Sequence, residues 1–193
     1  LVNDVTVSHY RLSIHLFTAI LIISIIFWLI RNIYTNKCKV FLNLNIENIP
    51  FLIFIFLIFA QIIVGAFVSG LDAGKIYQTW PKMGSSYIPN DLYFNNFMQV
   101  IELDNHSLVQ FYHRNLAYII IGYVLYLTIF IHKKKIKMLY RPFNVVLFIL
   151  LVQIALGIFT LISGLNIYLA SAHQIVSVML VLSAINLYFL RSK

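Results

Sequence analysis

Charged residues are scarce in this sequence, and their scarcity decides the class of protein. Asp, Glu, Lys and Arg make up 10% of the 193 residues, whereas a soluble domain carries about 25%. Hydrophobic residues make up 61%, and the mean hydropathy is +0.89. A water-soluble core in a chain of this length does not need so much apolar sequence. We therefore expect lipid to be the solvent and the chain to be an integral membrane protein.

Cysteine is nearly absent. Cys38 is the single one, which excludes an intrachain disulfide and a metal cluster held by cysteines. Acidic residues number 6 against 14 Lys and Arg, which gives a net charge of +8. The basic residues stand in short loops between apolar runs, which is typical of membrane topology, so we expect no nucleic-acid partner. The chain also lacks an initial Met and a signal-peptide pattern, which suggests a fragment or a processed product.

Five apolar runs are each long enough to cross the membrane, which takes about 20 residues. The sequence predicts an all-α fold of five transmembrane helices, the last four forming a four-helix bundle. We place the helices at residues 12–31, 50–70, 108–131, 143–163 and 168–190. The loops after the first and third helices and the C-terminal tail are basic, which predicts an outer N-terminus and an inner C-terminus. The membrane could be a bacterial plasma membrane or a mitochondrial inner membrane.

An internal repeat organises these helices. The second and fourth share Gln-x-x-x-Gly-x-Phe, and the first and fifth share a Tyr followed five residues later by a His. These two patterns stand at residues 61–67 and 153–159 and at residues 10–15 and 168–173. The first helix thus resembles the end of one repeat unit, and the other four resemble a complete second unit. We divide the chain into residues 1–48 and 49–193, and we expect three further helices before it.

Three of the six histidines lie within apolar runs at one depth, roughly 6–8 Å below the outer boundary: His15, His113 and His173. Each could hydrogen-bond to a neighbouring helix, but their common depth favours ligation of a metal or haem. Small residues on these helices leave room for a flat macrocycle, although they also let helices pack closely. Zinc is a poorer fit, because no Cys, Asp or Glu shares that depth. Arg114 could meet a haem propionate or extend to the membrane surface.

Four motifs, in this order, resemble the signature of the haem A synthase family, and the resemblance covers nearly the whole chain. They are Tyr-Arg-Leu-Ser-Ile-His-Leu at 10–16, Gly-Ala-Phe-Val-Ser-Gly-Leu-Asp-Ala-Gly at 65–74 with Tyr-Gln-Thr-Trp-Pro-Lys-Met at 77–83 and Ile-Pro at 88–89, Val-Gln-Phe-Tyr-His-Arg at 109–114, and Leu-Ala-Ser-Ala-His-Gln at 169–174. The Gly-Leu-Asp-Ala-Gly segment is similar to the mitochondrial and alphaproteobacterial branch.

The resemblance implies a fold of eight helices in two halves, of which this chain matches helices four to eight. It implies that His113 and His173 bind a b-type haem and that His15 binds the substrate, haem O. The implied reaction oxidises a ring methyl of haem O to a formyl group, which gives haem A for cytochrome oxidase. The family's catalytic glutamate lies on helices outside this chain, so the activity of these residues alone is left open. Implied partners are membrane lipid, the haem O synthase and an electron donor; a homo-oligomer is left open.

Two other functions compete with this reading. A non-enzymatic b-type cytochrome would share a bundle with paired histidines. Such carriers usually place histidine pairs near both faces of the membrane, whereas these three histidines lie near one face. A transporter would favour inverted repeats and helices broken at the midplane, whereas the repeats here are parallel.

Overall fold

The computed structural model describes residues 8–93 and 96–192. Its long helices are α1 (His9–Thr35), α2 (Ile49–Gly70), α4 (His106–Lys133), α5 (Tyr140–Ile162) and α6 (Ile167–Arg191), with a short helix α3 (Phe97–Val100) in the longest loop. Each of the five long helices is long and apolar enough to cross a membrane. The predicted spans and the all-α membrane fold are therefore confirmed, and every span end lies within four residues of its prediction.

Local side chains define where the helices begin. The side chain of Asn105 accepts a hydrogen bond from the amide of Leu108 and so caps α4, and Asn166 caps α6 in the same way. Pro50 occupies the first turn of α2, where its missing amide hydrogen leaves no bond unmade. At the other end of α1, Asn36 adopts the left-handed conformation that commonly ends a helix. Two of these caps come shortly before the predicted histidine ligands of α4 and α6.

The last four long helices form the predicted bundle. Helix α2 packs against α4 and α6, α5 packs closely against α6, and α5 also meets α4. Helices α4 and α6 thus face each other across the bundle and run in the same direction. Helix α1 packs on the outside, against α2 and α6. The division between residues 1–48 and 49–193 stays a prediction.

The apolar core fills one end of the bundle. We call the first turns of α4 and α6 the histidine end, and the opposite end, with the turn at residues 134–137, the lysine end. Most of the fully buried large side chains lie toward the lysine end: Phe51, Phe54, Leu127, Ile131, Leu139, Phe143, Ile185, Leu187, Tyr188 and Phe189. On α4 and α6 the core cluster begins at Ile120 and Leu180, each about 10 Å along its helix from a predicted ligand. This cluster therefore ends below the histidines, and the buried Leu108 and Val109 in the first turn of α4 lie outside it.

The loop between α1 and α2 is anchored to this core. The side chain of Tyr188 is fully buried. Its hydroxyl donates to the carbonyl oxygen of Phe41 at 2.7 Å and accepts from the amide of Asn43 at 3.1 Å. The Trp28 indole donates to the carbonyl oxygen of Lys39 at 3.0 Å. The loop is thereby tied to both α6 and α1.

We expect Tyr188→Phe to destabilise the protein by about 1–3 kcal/mol, because it leaves the carbonyl of Phe41 and the amide of Asn43 without their partner. Thermal unfolding of the detergent-solubilised protein measures this change. Tyr34→Phe is the matched control, since the side chain of Tyr34 is 83% exposed. Equal melting temperatures for the two variants would contradict the anchoring role of Tyr188.

Candidate functional site

Two half-buried imidazoles face the interior of the bundle at the histidine end. His113 lies in the second turn of α4, and His173 lies in the second turn of α6. Their helices run in parallel, so both side chains lie at the same depth. The structure therefore brings together the two residues that the sequence singled out as a ligand pair.

Each imidazole lies against a glycine on the helix that precedes its own. A Cβ atom added to Gly65 of α2 would stand 2.9 Å from Cε1 of His113, and one added to Gly157 of α5 would stand 3.0 Å from Cε1 of His173. Real Cβ atoms essentially never show the first distance, and the second is tighter than nine in ten of their contacts. Each glycine of the repeat therefore makes room for an imidazole. The sequence had suggested only space for a macrocycle or close packing of helices.

A glutamine one turn before each glycine also contacts the imidazole. We call each pair a histidine seat: Gln61 and Gly65 for His113, and Gln153 and Gly157 for His173. Gln61 places its Nε2 atom 3.2 Å from Nδ1 and 3.3 Å from Nε2 of His113, and it donates to the carbonyl oxygen of His113 at 3.0 Å. The Nε2 atom of Gln153 lies 3.3 Å from Nε2 of His173. The repeated Gln-x-x-x-Gly pattern is thus a pair of equivalent histidine seats. Sequence reasoning noted both glutamines but did not pair them with the histidines.

The hydrogen bonds of His173 determine which of its ring nitrogens can bind a metal. Nδ1 of His173 lies 3.1 Å from the main-chain carbonyl oxygen of Gln153, an atom that can only accept a hydrogen bond. Nδ1 therefore carries the hydrogen, and Nε2 keeps its lone pair, as in metal-bound histidines whose other nitrogen donates to a carbonyl. Gly157 stands four residues after Gln153, so its missing side chain leaves this carbonyl open to the ring.

The donor set at this site fits a haem better than a bare metal ion. In residues 8–93 and 96–192, no group of three or more His, Cys, Asp or Glu side chains is placed to hold a metal ion. Two imidazoles alone leave an ion short of ligands, whereas a porphyrin supplies four in-plane nitrogens and needs only axial partners. The Oε1 atoms of Gln61 and Gln153 are also buried without a hydrogen-bond partner in the described chain. Polar atoms of this kind point to a group that binds in the bundle.

Arg114, the residue after His113, fastens the loop between α2 and α4 over this end of the bundle. Its guanidinium donates to the carbonyl oxygens of Tyr77, Thr79 and Lys82 at 2.8, 2.9 and 3.3 Å. Gln110 adds a hydrogen bond to the carbonyl oxygen of Tyr77 at 2.9 Å. The contact between Arg114 and a haem propionate stays a prediction.

Asp91 holds the same loop from its other side. The carboxylate of Asp91 accepts hydrogen bonds from the hydroxyls of Tyr77 at 2.7 Å and Ser107 at 2.5 Å. The hydrogen bond to Asp91, followed by burial, raises the pKa of Tyr77 above its ordinary value. The phenol therefore remains a donor at neutral pH, and the loop stays closed onto the first turn of α4.

His15 lies apart from this pair. Helix α1 turns Ser13, Ile20 and Ser24 toward the rest of the protein, and the side chain of His15 is exposed on another face. His9 contacts Asp104 at 2.9 Å, and His132 stacks on Tyr140 near the lysine end. The structure thus joins His113 with His173 and leaves the role of His15 a prediction.

Comparison with known proteins identifies the family. The family model COX15-CtaA, described as a cytochrome oxidase assembly protein, matches residues 1–185. The chain belongs to the COX15-CtaA family. The four motifs therefore indicated the right family, and their matches to it extend along almost the whole chain.

Curated relatives of this COX15-CtaA protein are named haem A synthase. The chain is 44% identical to the protein of Pelagibacter ubique over 98% of its own length and 54% of the relative. It is 39% identical to a Wolbachia pipientis protein and 35% identical to a Rickettsia felis protein, covering 55% and 57% of these relatives. The chain thus spans about half the length of the curated relatives it matches. No solved structure matches it.

We expect Arg114→Gln to loosen the segment at residues 77–84, because the shorter neutral side chain loses charge-assisted bonds to three carbonyls. Hydrogen exchange at the amides of Met83 and Gly84 should speed up by about tenfold or more, since one such bond contributes about 1.5–3 kcal/mol. Arg141→Gln, at an exposed site on α5, is the control. Unchanged exchange in Arg114→Gln would show that the guanidinium does not hold this segment.

Proposed function

We propose that this chain is part of a haem A synthase, which oxidises a ring methyl of haem O to a formyl group and so supplies haem A for cytochrome oxidase. The observation that carries the proposal is the pair of equivalent seats that hold His113 and His173 across the bundle. The relatives that share nearly the whole of this chain support it, since they bear that name. The remaining half of their length lies outside the chain described here.

We propose that His113 and His173 would hold a b-type haem, each through a ring nitrogen. When bound, this haem supplies one-electron redox chemistry, and an electron donor is therefore an expected partner. The glutamines and glycines of α2 and α5 position the two imidazoles. The carbonyl of Gln153 leaves the lone pair of His173 on Nε2, which would bind iron in place of the side-chain amide of Gln153. The apolar core below the histidines keeps water at the lysine end from reaching them. Arg114 is the residue we propose to contact a propionate at the outer loop.

We propose that His15 serves the substrate haem rather than the b-type haem. Its exposed position on α1 separates it from His113 and His173, so it would need a site on the other side of α1. The neighbouring exposed side chains on α1, Ile14, Ile22 and Ile26, are apolar, which suits contact with a macrocycle or with further helices. The haem O synthase is the proposed source of that substrate.

The glycine seats provide the first test of haem binding. Gly65→Val and Gly157→Val should each lower haem affinity by about one to two powers of ten, because overpacking at these positions costs about 1–3 kcal/mol. Haem absorbance per protein after purification measures the loss. Gly122→Val is the matched control on α4, since a Cβ there meets no atom within 4 Å. Full haem content in both variants would show that Gly65 and Gly157 are not needed to position the histidines for haem binding.

A second test concerns the reaction. In residues 1–193, His15→Ala should leave the content of b-type haem unchanged, because His15 lies away from the pair. In the complete enzyme, expressed with a haem O synthase, the same change should stop conversion of haem O to haem A. Chromatography of extracted haems measures both products. A complete wild-type enzyme that makes no haem A would favour the b-type cytochrome, and normal haem A in the variant would exclude His15 from the substrate site.

We also propose that the lysine end faces the cytoplasm or the mitochondrial matrix, because short basic loops are retained on that side. In a Cys38→Ser background, Lys134→Cys should react with an impermeant thiol reagent only from that side. Ser86→Cys, in the outer loop, should react only from the opposite side. The reverse labelling pattern would overturn this orientation.

A further inference from the structure

A cleft of about 560 Å³ opens at the lysine end, on the opposite side of the protein from the histidine pair. It lies between the turn after α1, the end of α6 and the turn before α5. Lys37, Lys39 and Arg191 supply its charged lining, and Met138 and Leu190 supply its apolar lining. The proposed haem site and its loop make no use of this cleft.

Positive charge converges on the cleft from three segments. The ammonium of Lys39 donates to the carbonyl oxygens of Phe189 at 2.8 Å and of Ser192, and it lies 4.7 Å from the centroid of the Phe189 ring. The guanidinium of Arg31 lies 5.0 Å from the same centroid. The aromatic ring thus holds two cations that would otherwise repel each other.

Fewer negative than positive charges lie at the cleft. Within the described residues, Glu47 is the one carboxylate that pairs with a cation of the cleft, and its partner is Arg191. Burial, followed by the positive charges of Lys37 and Arg31, lowers the pKa of Lys39. The Nε atoms of Arg31 and Arg191 are buried and have no hydrogen-bond partner in the described chain. An anion in the cleft would balance this charge.

The positive-inside tendency accounts for basic residues in this loop but not for their convergence on one cavity. The cavity lies where α1 and α6 end, which is the depth of lipid headgroups for helices that span the membrane. Its apolar residues lie beside the cations, as an acyl chain beside a phosphate would require. Basic pockets between transmembrane helices on the inner side are known to bind anionic headgroups.

We propose that this cleft binds the phosphate group of an anionic phospholipid, with Lys37, Lys39 and Arg191 as the charged contacts. Free phosphate shares the headgroup chemistry, but it would gain nothing from Met138 and Leu190. A bound lipid would link the α1–α2 loop to the end of α6. This proposal does not depend on haem binding or on the activity of the enzyme.

Native mass spectrometry of the detergent-solubilised protein tests the site. Titration with phosphatidylglycerol should give one tight adduct, and phosphatidylcholine with the same acyl chains should bind much more weakly. Lys37→Gln should weaken binding of phosphatidylglycerol by about fivefold. The side chain of Lys37 is exposed and makes no hydrogen bond to the described chain, so this variant should fold normally. Lys134→Gln, which removes a charge from the same end outside the cleft, should bind as the wild type does.

Three results would overturn the proposal. The first is equal binding of the two phospholipids. The second is that Lys134→Gln weakens binding as much as Lys37→Gln, and the third is that inorganic phosphate displaces phosphatidylglycerol at equal concentration. The first two would indicate a non-specific lipid layer or a general charge effect, and the third would indicate a site for free phosphate. Cys38, the single cysteine, also lines the cleft and is exposed, so phosphatidylglycerol should slow its reaction with a maleimide.

Discussion

The close approach of an imidazole to a glycine on the preceding helix is the contact on which the site depends. A Cβ atom at Gly65 or Gly157 would stand 2.9 or 3.0 Å from the histidine ring, so the missing side chain lets each ring lie against the neighbouring long helix. The approach also exposes a main-chain carbonyl, and at Gln153 that carbonyl orients the ring of His173. At Gly157 one missing side chain therefore bears on both the position and the tautomer of the ring.

The two ends of the bundle are held together by different interactions. Toward the lysine end, large apolar side chains form the core cluster, and buried Tyr188 ties the α1–α2 loop to α6. Toward the histidine end the core cluster stops, and polar contacts through Arg114 and Asp91 take over. The closely packed end thus supports the end at which we propose that a macrocycle binds. The cost of a polar side chain in lipid explains why each histidine is hydrogen-bonded to a glutamine of the neighbouring long helix.

Much of the fold follows from the sequence because lipid imposes simple rules on it. Twenty apolar residues suffice to predict a spanning helix, and the asparagine caps at Asn105 and Asn166 mark where two of them begin. The depth of His113 and His173 follows from counting residues from those starts. The repeat further indicated that the helices form equivalent pairs, which the two histidine seats reflect.

Details that depend on the rotation of each helix could not be read from the sequence. The partnership of Gln61 and Gln153 with the histidines needs the facing sides of two helices, which hydropathy does not give for runs that are apolar all round. The carbonyl contacts of Arg114 depend on the path of a loop with no regular structure. His15 shared depth and residue type with the ligand pair, and only the packing of α1 shows that it lies on a different side.

The central claim is that His113 and His173 are the two axial ligands of one haem. The most direct measurement is the optical and electron paramagnetic resonance spectrum of the purified protein with bound b-type haem, compared with His113→Ala and His173→Ala. The account predicts a low-spin ferric signal in the wild type and its loss in each single variant, with Gly122→Ala unchanged. A low-spin signal that persists in both histidine variants would contradict it.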